Sequence, residues 1–83
     1  MCGIFSIINN DMSKEHIMAN LNKGVLRGPE NSQTITLISP PVFLGLHRLA
    51  INGYNDELSN QPFQIDGIYL ICNGEIYNWK SLY

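Results

Sequence analysis

The residue best suited to chemistry is Cys2, which directly follows the initiator methionine. Once Met1 is removed, Cys2 carries a thiol nucleophile and a free α-amino group together. A thiol attacks as its thiolate, and an α-amino group with a reference pKa of about 7.7–8.0 can take the thiol proton near neutral pH. Cys2 is therefore a candidate nucleophile with its own base. The alternative is a small apolar residue at the start of a buried strand.

A second polar group, Asn73-Gly74-Glu75, directly follows the apolar sequence IYLIC of residues 68–72. Glycine lets a backbone N–H point at a ligand without an intervening side chain, and the asparagine amide is a second donor. Two donors that converge on one point form an oxyanion hole, which stabilises the charged oxygen of a tetrahedral intermediate. The alternative is an ordinary Asn-Gly hairpin turn.

Arg48 is one of only two arginines in a chain that is poor in charge, and apolar residues lie on both sides of it. A guanidinium in such surroundings suits capture of a carboxylate through two parallel hydrogen bonds. Arg48 is therefore a candidate for binding the acidic group of a small substrate. A structural ion pair with Glu75 or Asp66 is the alternative.

Two other patterns invite interpretation as sites. The side chains of His16, His47, Cys2 and Cys72 do not have the spacing of known zinc motifs, so no metal site is predicted. The segment Arg27-Gly28-Pro29-Glu30 lacks the glycine density and the lysine of a phosphate-binding loop. It predicts instead a turn that ends a helix.

Composition limits the class of protein. The chain has 83 residues, of which 45% are hydrophobic and 14% charged, with a net charge of -2 and a pI near 5.5. The hydrophobic share argues against disorder, and the charge excludes a basic surface for nucleic acid or anionic membrane. Two cysteines without C-x-x-C spacing indicate a reducing compartment, so we expect a cytoplasmic protein of one small domain that neither spans a membrane nor binds nucleic acid.

The apolar pattern predicts strands and one main helix. Ser13 is a candidate N-cap, and apolar residues recur at helical spacing from Lys14 to about Val25. A final helix is expected to begin at Asn78. Strands are predicted at residues 3–8, 34–39, 42–46 and 68–72. This order indicates an α+β fold.

Five short blocks carry a family resemblance. They are Met1-Cys2-Gly3-Ile4-Phe5, Arg27-Gly28-Pro29, His47-Arg48-Leu49-Ala50-Ile51, Gln61-Pro62-Phe63 and Asn73-Gly74-Glu75-Ile76-Tyr77-Asn78. Their order resembles class II glutamine amidotransferase domains, and above all the N-terminal glutaminase domain of glutamine-hydrolysing asparagine synthetases. The last block is the most specific. The sibling domains of phosphoribosyl-pyrophosphate amidotransferase, glucosamine-phosphate synthase and glutamate synthase fit these blocks less well.

The resemblance implies a fold and a set of roles. The fold is the N-terminal nucleophile hydrolase sandwich, in which two antiparallel sheets pack between helix layers. Cys2 would attack the carboxamide of L-glutamine, Asn73 and Gly74 would hold the oxyanion, and Arg48 would bind the substrate α-carboxylate. The further residues expected to orient the substrate are Leu49, Ala50, Ile51, Asn52 and Glu75.

The implied reaction yields glutamate and ammonia without a cofactor. In the full-length family, a synthetase domain uses ATP and Mg to convert aspartate to asparagine with that ammonia. The resemblance covers only the front part of the glutaminase domain, so residues 1–83 are expected to form an incomplete domain that needs a synthetase domain or subunit. The alternative is an inactive fragment or a regulatory, binding remnant.

The sequence also departs from the family pattern. Leu26 stands where a histidine usually precedes Arg-Gly-Pro, and Glu30 stands where aspartate is usual. Leu46 occupies the usual position of the histidine near the substrate arginine, and His47 follows it. The Gly-Ser-Asp segment whose aspartate binds the substrate α-amino group is not present. We therefore expect this chain alone to react slowly or not at all with glutamine analogues.

Overall fold

The computed structural model describes residues 2–8, 11–51 and 56–83. Its strands and helices are β1 (Gly3–Ile8), α1 (Lys14–Asn22), β2 (Asn31–Leu37), β3 (Val42–Arg48), β4 (Phe63–Ile65), β5 (Ile68–Leu70) and α2 (Trp79–Leu82). Short 3-10 turns lie at Val25–Arg27 and Glu57–Ser59. The predicted α+β class is confirmed, with strands that pair only in antiparallel fashion within these residues. Neither described helix is long and apolar enough to cross a membrane.

The larger sheet has the strand order β1-β3-β2. In its register Gly3 pairs with His47, and Asn31 pairs with Arg48. The residue before β1 therefore lies beside the residues that follow β3. This pairing places Cys2 next to a segment nearly fifty positions away in sequence.

Helix α1 packs on one face of this sheet. Ser13 caps it as predicted, because its hydroxyl accepts a hydrogen bond from the His16 backbone N–H at 3.2 Å. Leu21 is only 3% exposed, and a Cβ added to Gly45 of β3 would lie 2.8 Å from its Cδ1 atom. The absence of a side chain at Gly45 therefore allows Leu21 to pack against the sheet.

Several element boundaries differ from the predictions. Helix α1 ends at Asn22 rather than near Val25, because Gly24 leads into a 3-10 turn in which Val25 is exposed. Strand β2 begins three residues before its predicted start, because β3 continues to Arg48 and Asn31 pairs with it. It ends two residues before its predicted end. Strand β5 ends at Leu70, two residues before the predicted end.

The hairpin of β4 and β5 was not among the predicted pairs. Its turn consists of Asp66 and Gly67, with φ angles of 51° and 76°. Two consecutive positive φ angles are typical of the tight type I′ turn, for which Asp-Gly is a favoured sequence. The Asp-Gly dipeptide was therefore the signal that could have predicted this hairpin.

Candidate functional site

A cleft of about 480 Å³ lies where the start of β1 meets the residues that follow β3 and β5. Its lining residues are Cys2, Arg48, Leu49, Ile51, Ser59, Gln61, Asn73, Gly74, Glu75 and Tyr77. Among the predicted site residues, Ala50 is half-buried beside the cleft without lining it, and Asn52 lies outside the described residues. The other predicted site residues all face this cleft.

Cys2 is half-buried at the wall of the cleft. The backbone N–H of Leu49 donates a hydrogen bond to its sulfur at 3.3 Å, and the Leu49 carbonyl oxygen lies 3.9 Å from the same atom. Because Leu49 directly follows β3, the sheet register determines where the sulfur lies. The thiol is thus held between two backbone groups while one side of it faces the cleft.

The residues after β5 form the opposite wall. The side-chain amide of Asn73 donates to the carbonyl oxygen of Cys2 at 3.1 Å, which ties this segment to the start of β1. A Cβ added to Gly74 would have no atom within 4 Å, so the space beside its backbone is open. Within the described residues the chain then enters a turn and α2 rather than a second strand, and the hairpin alternative for Asn73-Gly74 is therefore wrong.

Arg48, at the end of β3, is 7% exposed. Its NH1 group donates to the Oδ1 atom of Asn60 at 2.8 Å and to the carbonyl oxygen of Asp56 at 3.3 Å. Hydrogen bonds from a charged donor are strong, so these two acceptors help to orient the guanidinium. The arrangement sets a cation at one end of the cleft and a thiol with two potential donors at the other.

The sequence model of the glutamine amidotransferase domain matches residues 1–83. The chain belongs to the glutamine amidotransferase domain family. It is also similar to a probable asparagine synthetase [glutamine-hydrolyzing] of Acanthamoeba polyphaga mimivirus, with 42% identity over 88 residues. That similarity covers 99% of this chain and 16% of the viral protein. No solved structure matches the chain significantly.

His47 has a structural position in this amidotransferase domain. Its ring is 2% exposed, with Nε2 2.8 Å from the Leu21 carbonyl oxygen and Nδ1 2.6 Å from the Ser32 hydroxyl. Because a carbonyl only accepts, Nε2 carries the proton, and in the neutral ring the Ser32 hydroxyl donates to Nδ1. Both nitrogens are occupied, so neither offers a lone pair to a metal ion.

Replacing His47 with alanine should destabilise the domain by about 2–4 kcal/mol, since the change leaves a cavity and removes both hydrogen bonds. Urea unfolding of the full chain measures this loss. His16→Ala is the matched control, because His16 is exposed on α1 and should change stability by less than about 0.5 kcal/mol. Equal stability of the two variants would contradict a structural role for His47.

The second thiol of the amidotransferase domain, Cys72, is exposed and does not line the cleft. Its backbone N–H donates to the Oε1 atom of Gln61 at 2.6 Å. Sequence reasoning gave no role to Asn60 and used Gln61 only as part of a family block. Single polar residues between elements carry no pattern that indicates a contact, so only the folded chain shows what these two side chains bind.

Proposed function

We propose that this glutamine amidotransferase domain hydrolyses L-glutamine to glutamate and ammonia, with Cys2 as the nucleophile. The observation that carries the proposal is the cleft in which Cys2, Arg48 and Asn73-Gly74 meet. Hydrolysis of glutamine by a thiol requires that the amide carbon approach the sulfur and that hydrogen-bond donors stabilise the oxyanion. It also requires a cation that binds the α-carboxylate. The cleft has one group suited to each of these needs.

The first half of the reaction forms a thioester. After Met1 is removed, the α-amino group of Cys2 takes the thiol proton, directly or through a water, and the sulfur attacks the carboxamide carbon. The carbonyl oxygen becomes an oxyanion that the Asn73 side-chain amide and the Gly74 backbone N–H stabilise. The protonated amine then gives its proton to the leaving nitrogen. The C–N bond breaks, and ammonia and a glutamyl thioester result.

The second half regenerates the enzyme. A water molecule, deprotonated by the same amine, attacks the thioester carbon and forms a second tetrahedral oxyanion. Collapse of this intermediate breaks the C–S bond, and the sulfur recovers its proton as glutamate leaves. One water is consumed for each glutamine, and no cofactor takes part.

Substrate binding uses the other end of the cleft. Arg48 binds the α-carboxylate, and the backbone of Leu49 and Ile51 together with the Glu75 side chain orients the rest of the amino acid. The resemblance implies the same role for Ala50 and Asn52. The resemblance implies a further aspartate, from a Gly-Ser-Asp segment, for the α-amino group. Residues 1–83 do not contain that segment.

The wider proposal concerns the molecule in which this domain acts. The chain spans only 16% of the asparagine synthetase that it resembles. We infer that the ammonia serves amide synthesis, with ATP, Mg and aspartate bound by a synthetase domain or subunit outside residues 1–83. We also infer that those remaining parts complete an N-terminal nucleophile hydrolase sandwich, of which the sheet with β1 at its edge is one layer.

The test compares two preparations of the full chain, one with Cys2 as its first residue and one that retains Met1. Both are treated with the glutamine analogue diazo-oxo-norleucine, whose diazomethyl carbon forms a C–S bond as N₂ leaves. Intact-mass spectrometry follows the adduct. We expect slow, single labelling at Cys2 in the first preparation and a rate about 10²-fold lower in the second, because its base is locked in a peptide bond.

Iodoacetamide provides the control for access to the thiol, since it needs no substrate site. Measured at about pH 9.5, where thiols ionise without the help of a base, both preparations should react with it at Cys2 at similar rates. Equal rates with the glutamine analogue, or labelling at Cys72 instead, would contradict the proposal that Cys2 acts with its own amine.

A further inference from the structure

We propose that Asn60 and Gln61 are positioning residues that together set the two ends of the glutaminase cleft. Asn60 orients the cation that binds the substrate carboxylate, and Gln61 orients the segment that holds the oxyanion. This inference rests on the proposed glutaminase function. It adds to that function a short segment, residues 59–61, that acts through its neighbours and does not touch the reacting atoms.

The contact of Asn60 is with the substrate-binding arginine. Its Oδ1 atom accepts a hydrogen bond from the NH1 group of Arg48 at 2.8 Å. Both side chains are at least half-buried, so the bond is partly shielded from water. A hydrogen bond to a charged donor is stronger than a neutral one, so it restricts how the guanidinium can turn. Removal of Asn60 should therefore leave the charge in place but loosen its orientation toward the substrate.

The contact of Gln61 is with the backbone just before the oxyanion donors. Its Oε1 atom accepts from the Cys72 N–H at 2.6 Å, and Asn73 and Gly74 are the next residues. Asn73 is held independently by the bond of its side chain to the Cys2 carbonyl oxygen. The segment is thus anchored on two sides, and the anchor from Gln61 determines where the Gly74 N–H points.

The segment is itself firmly held. Asp56 caps the turn Glu57–Ser59 by accepting from the Leu58 N–H at 2.9 Å, and the Asn60 N–H donates to the Glu57 carbonyl oxygen at 3.1 Å. Asn60 and Gln61 therefore follow a capped turn, and each contacts a different end of the cleft. One fixed turn can keep the distance between the carboxylate site and the oxyanion site constant.

The two roles predict effects on different kinetic constants. Asn60→Ala should raise the concentration of diazo-oxo-norleucine needed for half-maximal inactivation by about tenfold, with little change in the maximal rate, because a hydrogen bond to a charged binding group is lost. Gln61→Leu should lower the maximal inactivation rate by about 10–10²-fold with little change in that concentration, because misplaced donors act on the reacting centre. A residue with a merely structural role would not separate the two constants.

The kinetic experiment uses the full chain with Cys2 first, and variants with matched controls. Gln61→Glu retains an oxygen acceptor and should restore most of the lost rate. Gln64→Leu removes a glutamine from β4 whose amide donates to the Tyr69 hydroxyl at 3.4 Å, and it should change neither constant. Iodoacetamide, which has no carboxylate, should not distinguish Asn60→Ala from the wild type.

A second measurement is independent of reactivity. Amide hydrogen exchange by NMR should show a protected Cys72 N–H in the wild type and at least tenfold faster exchange in Gln61→Leu, with no change in Gln64→Leu. The positioning roles are overturned if the Cys72 N–H exchanges at the same rate in Gln61→Leu as in the wild type. They are also overturned if Asn60→Ala and Gln61→Leu change both kinetic constants equally. If the wild type is not labelled at Cys2, the glutaminase proposal fails for this chain, and the exchange result alone decides whether Gln61 anchors the segment.

Discussion

The Cys2→Ala variant should lose all glutaminase activity and all labelling by diazo-oxo-norleucine. The proposed reaction requires a bond between the Cys2 sulfur and the carboxamide carbon, and no second thiol lines the cleft in the described residues. Alanine retains the α-amino group, the backbone and the oxyanion donors, so the variant removes the nucleophile alone. Loss of covalent catalysis cannot be offset by the groups that remain, because the proposed role of the amine is to move a proton rather than to form the intermediate.

The stability of this variant should stay close to that of the wild type. Cys2 is half-buried and its sulfur accepts one hydrogen bond from the Leu49 N–H, so the change should cost only about 0.5–1.5 kcal/mol. Thermal unfolding of the same samples separates loss of chemistry from loss of fold. Ammonia release and adduct mass are then measured only on folded protein.

Cys72→Ala is the matched control for the nucleophile. It removes the other thiol, which is exposed, while keeping the backbone N–H that donates to Gln61. Its labelling rate should equal that of the wild type. Adduct formation in Cys2→Ala, or its loss in Cys72→Ala, would show that the reactive thiol has been wrongly assigned.

The second large effect is expected for Gly28→Ala, which should strongly destabilise the domain. A Cβ at this position would lie 2.0 Å from the His47 carbonyl oxygen and 2.5 Å from the carbonyl carbon of Arg48. These are backbone atoms of β3, which pairs with β2 at both residues, so they cannot move aside without breaking the sheet. The strain is a steric clash and not a dihedral strain, because the φ of Gly28 is -157°, a value that any residue adopts.

The size of this effect is set by the small total stability of the chain. Overpacking lowers the free energy of unfolding by about 1–3 kcal/mol where side chains can adjust. A larger loss is expected where the added atom clashes with backbone. A domain of this length has a total stability of about 4–12 kcal/mol. We therefore expect the midpoint of thermal unfolding to fall by at least about 10 °C.

Gly74→Ala is the control for this prediction. It makes the same chemical change where a Cβ would meet no atom within 4 Å. Its unfolding midpoint should stay within about 2 °C of the wild type, since the substitution causes no clash. If Gly28→Ala and Gly74→Ala unfold at the same temperature, the close approach of Gly28 to β3 is not a constraint on this fold.

These predictions link the fold to the proposed reaction. Gly28 packs against the end of β3, and Glu30 donates its backbone N–H to the Arg48 carbonyl oxygen at 3.2 Å. Damage at this point should therefore also displace the arginine at the end of the cleft. The Arg-Gly-Pro block, which sequence reasoning interpreted as a turn that ends a helix, also supports the position of Arg48.

Local chemistry could be predicted from the sequence because its causes lie within a few residues. The bounds of β1 follow from a short apolar run that ends in polar turn residues, and the start of α1 follows from the hydroxyl of Ser13. The potential of Cys2 as a nucleophile depends only on its own thiol and amine. The order of five short blocks then sufficed to indicate the family, although the separate role of each residue remains a prediction.

Other features could not be predicted because they depend on contacts between distant parts of the chain. The extension of β3 to Arg48 depends on its pairing with β2, and the burial of His47 depends on how α1 packs on the sheet. The polar contacts of Asn60 and Gln61 leave no periodic pattern in the sequence. Their partners become known only when the turn Glu57–Ser59 is placed against β3 and the segment after β5.

The sequence by itself therefore determined which groups are present: a thiol beside an amine, an arginine in apolar surroundings, and an amide next to a glycine. Only the tertiary structure decided that they face one cleft. The physical reason is the antiparallel register in which Gly3 pairs with His47, together with the bond from Asn73 to the Cys2 carbonyl oxygen. These contacts join residues more than forty positions apart, and their energies come from the folded sheet rather than from any local run of sequence.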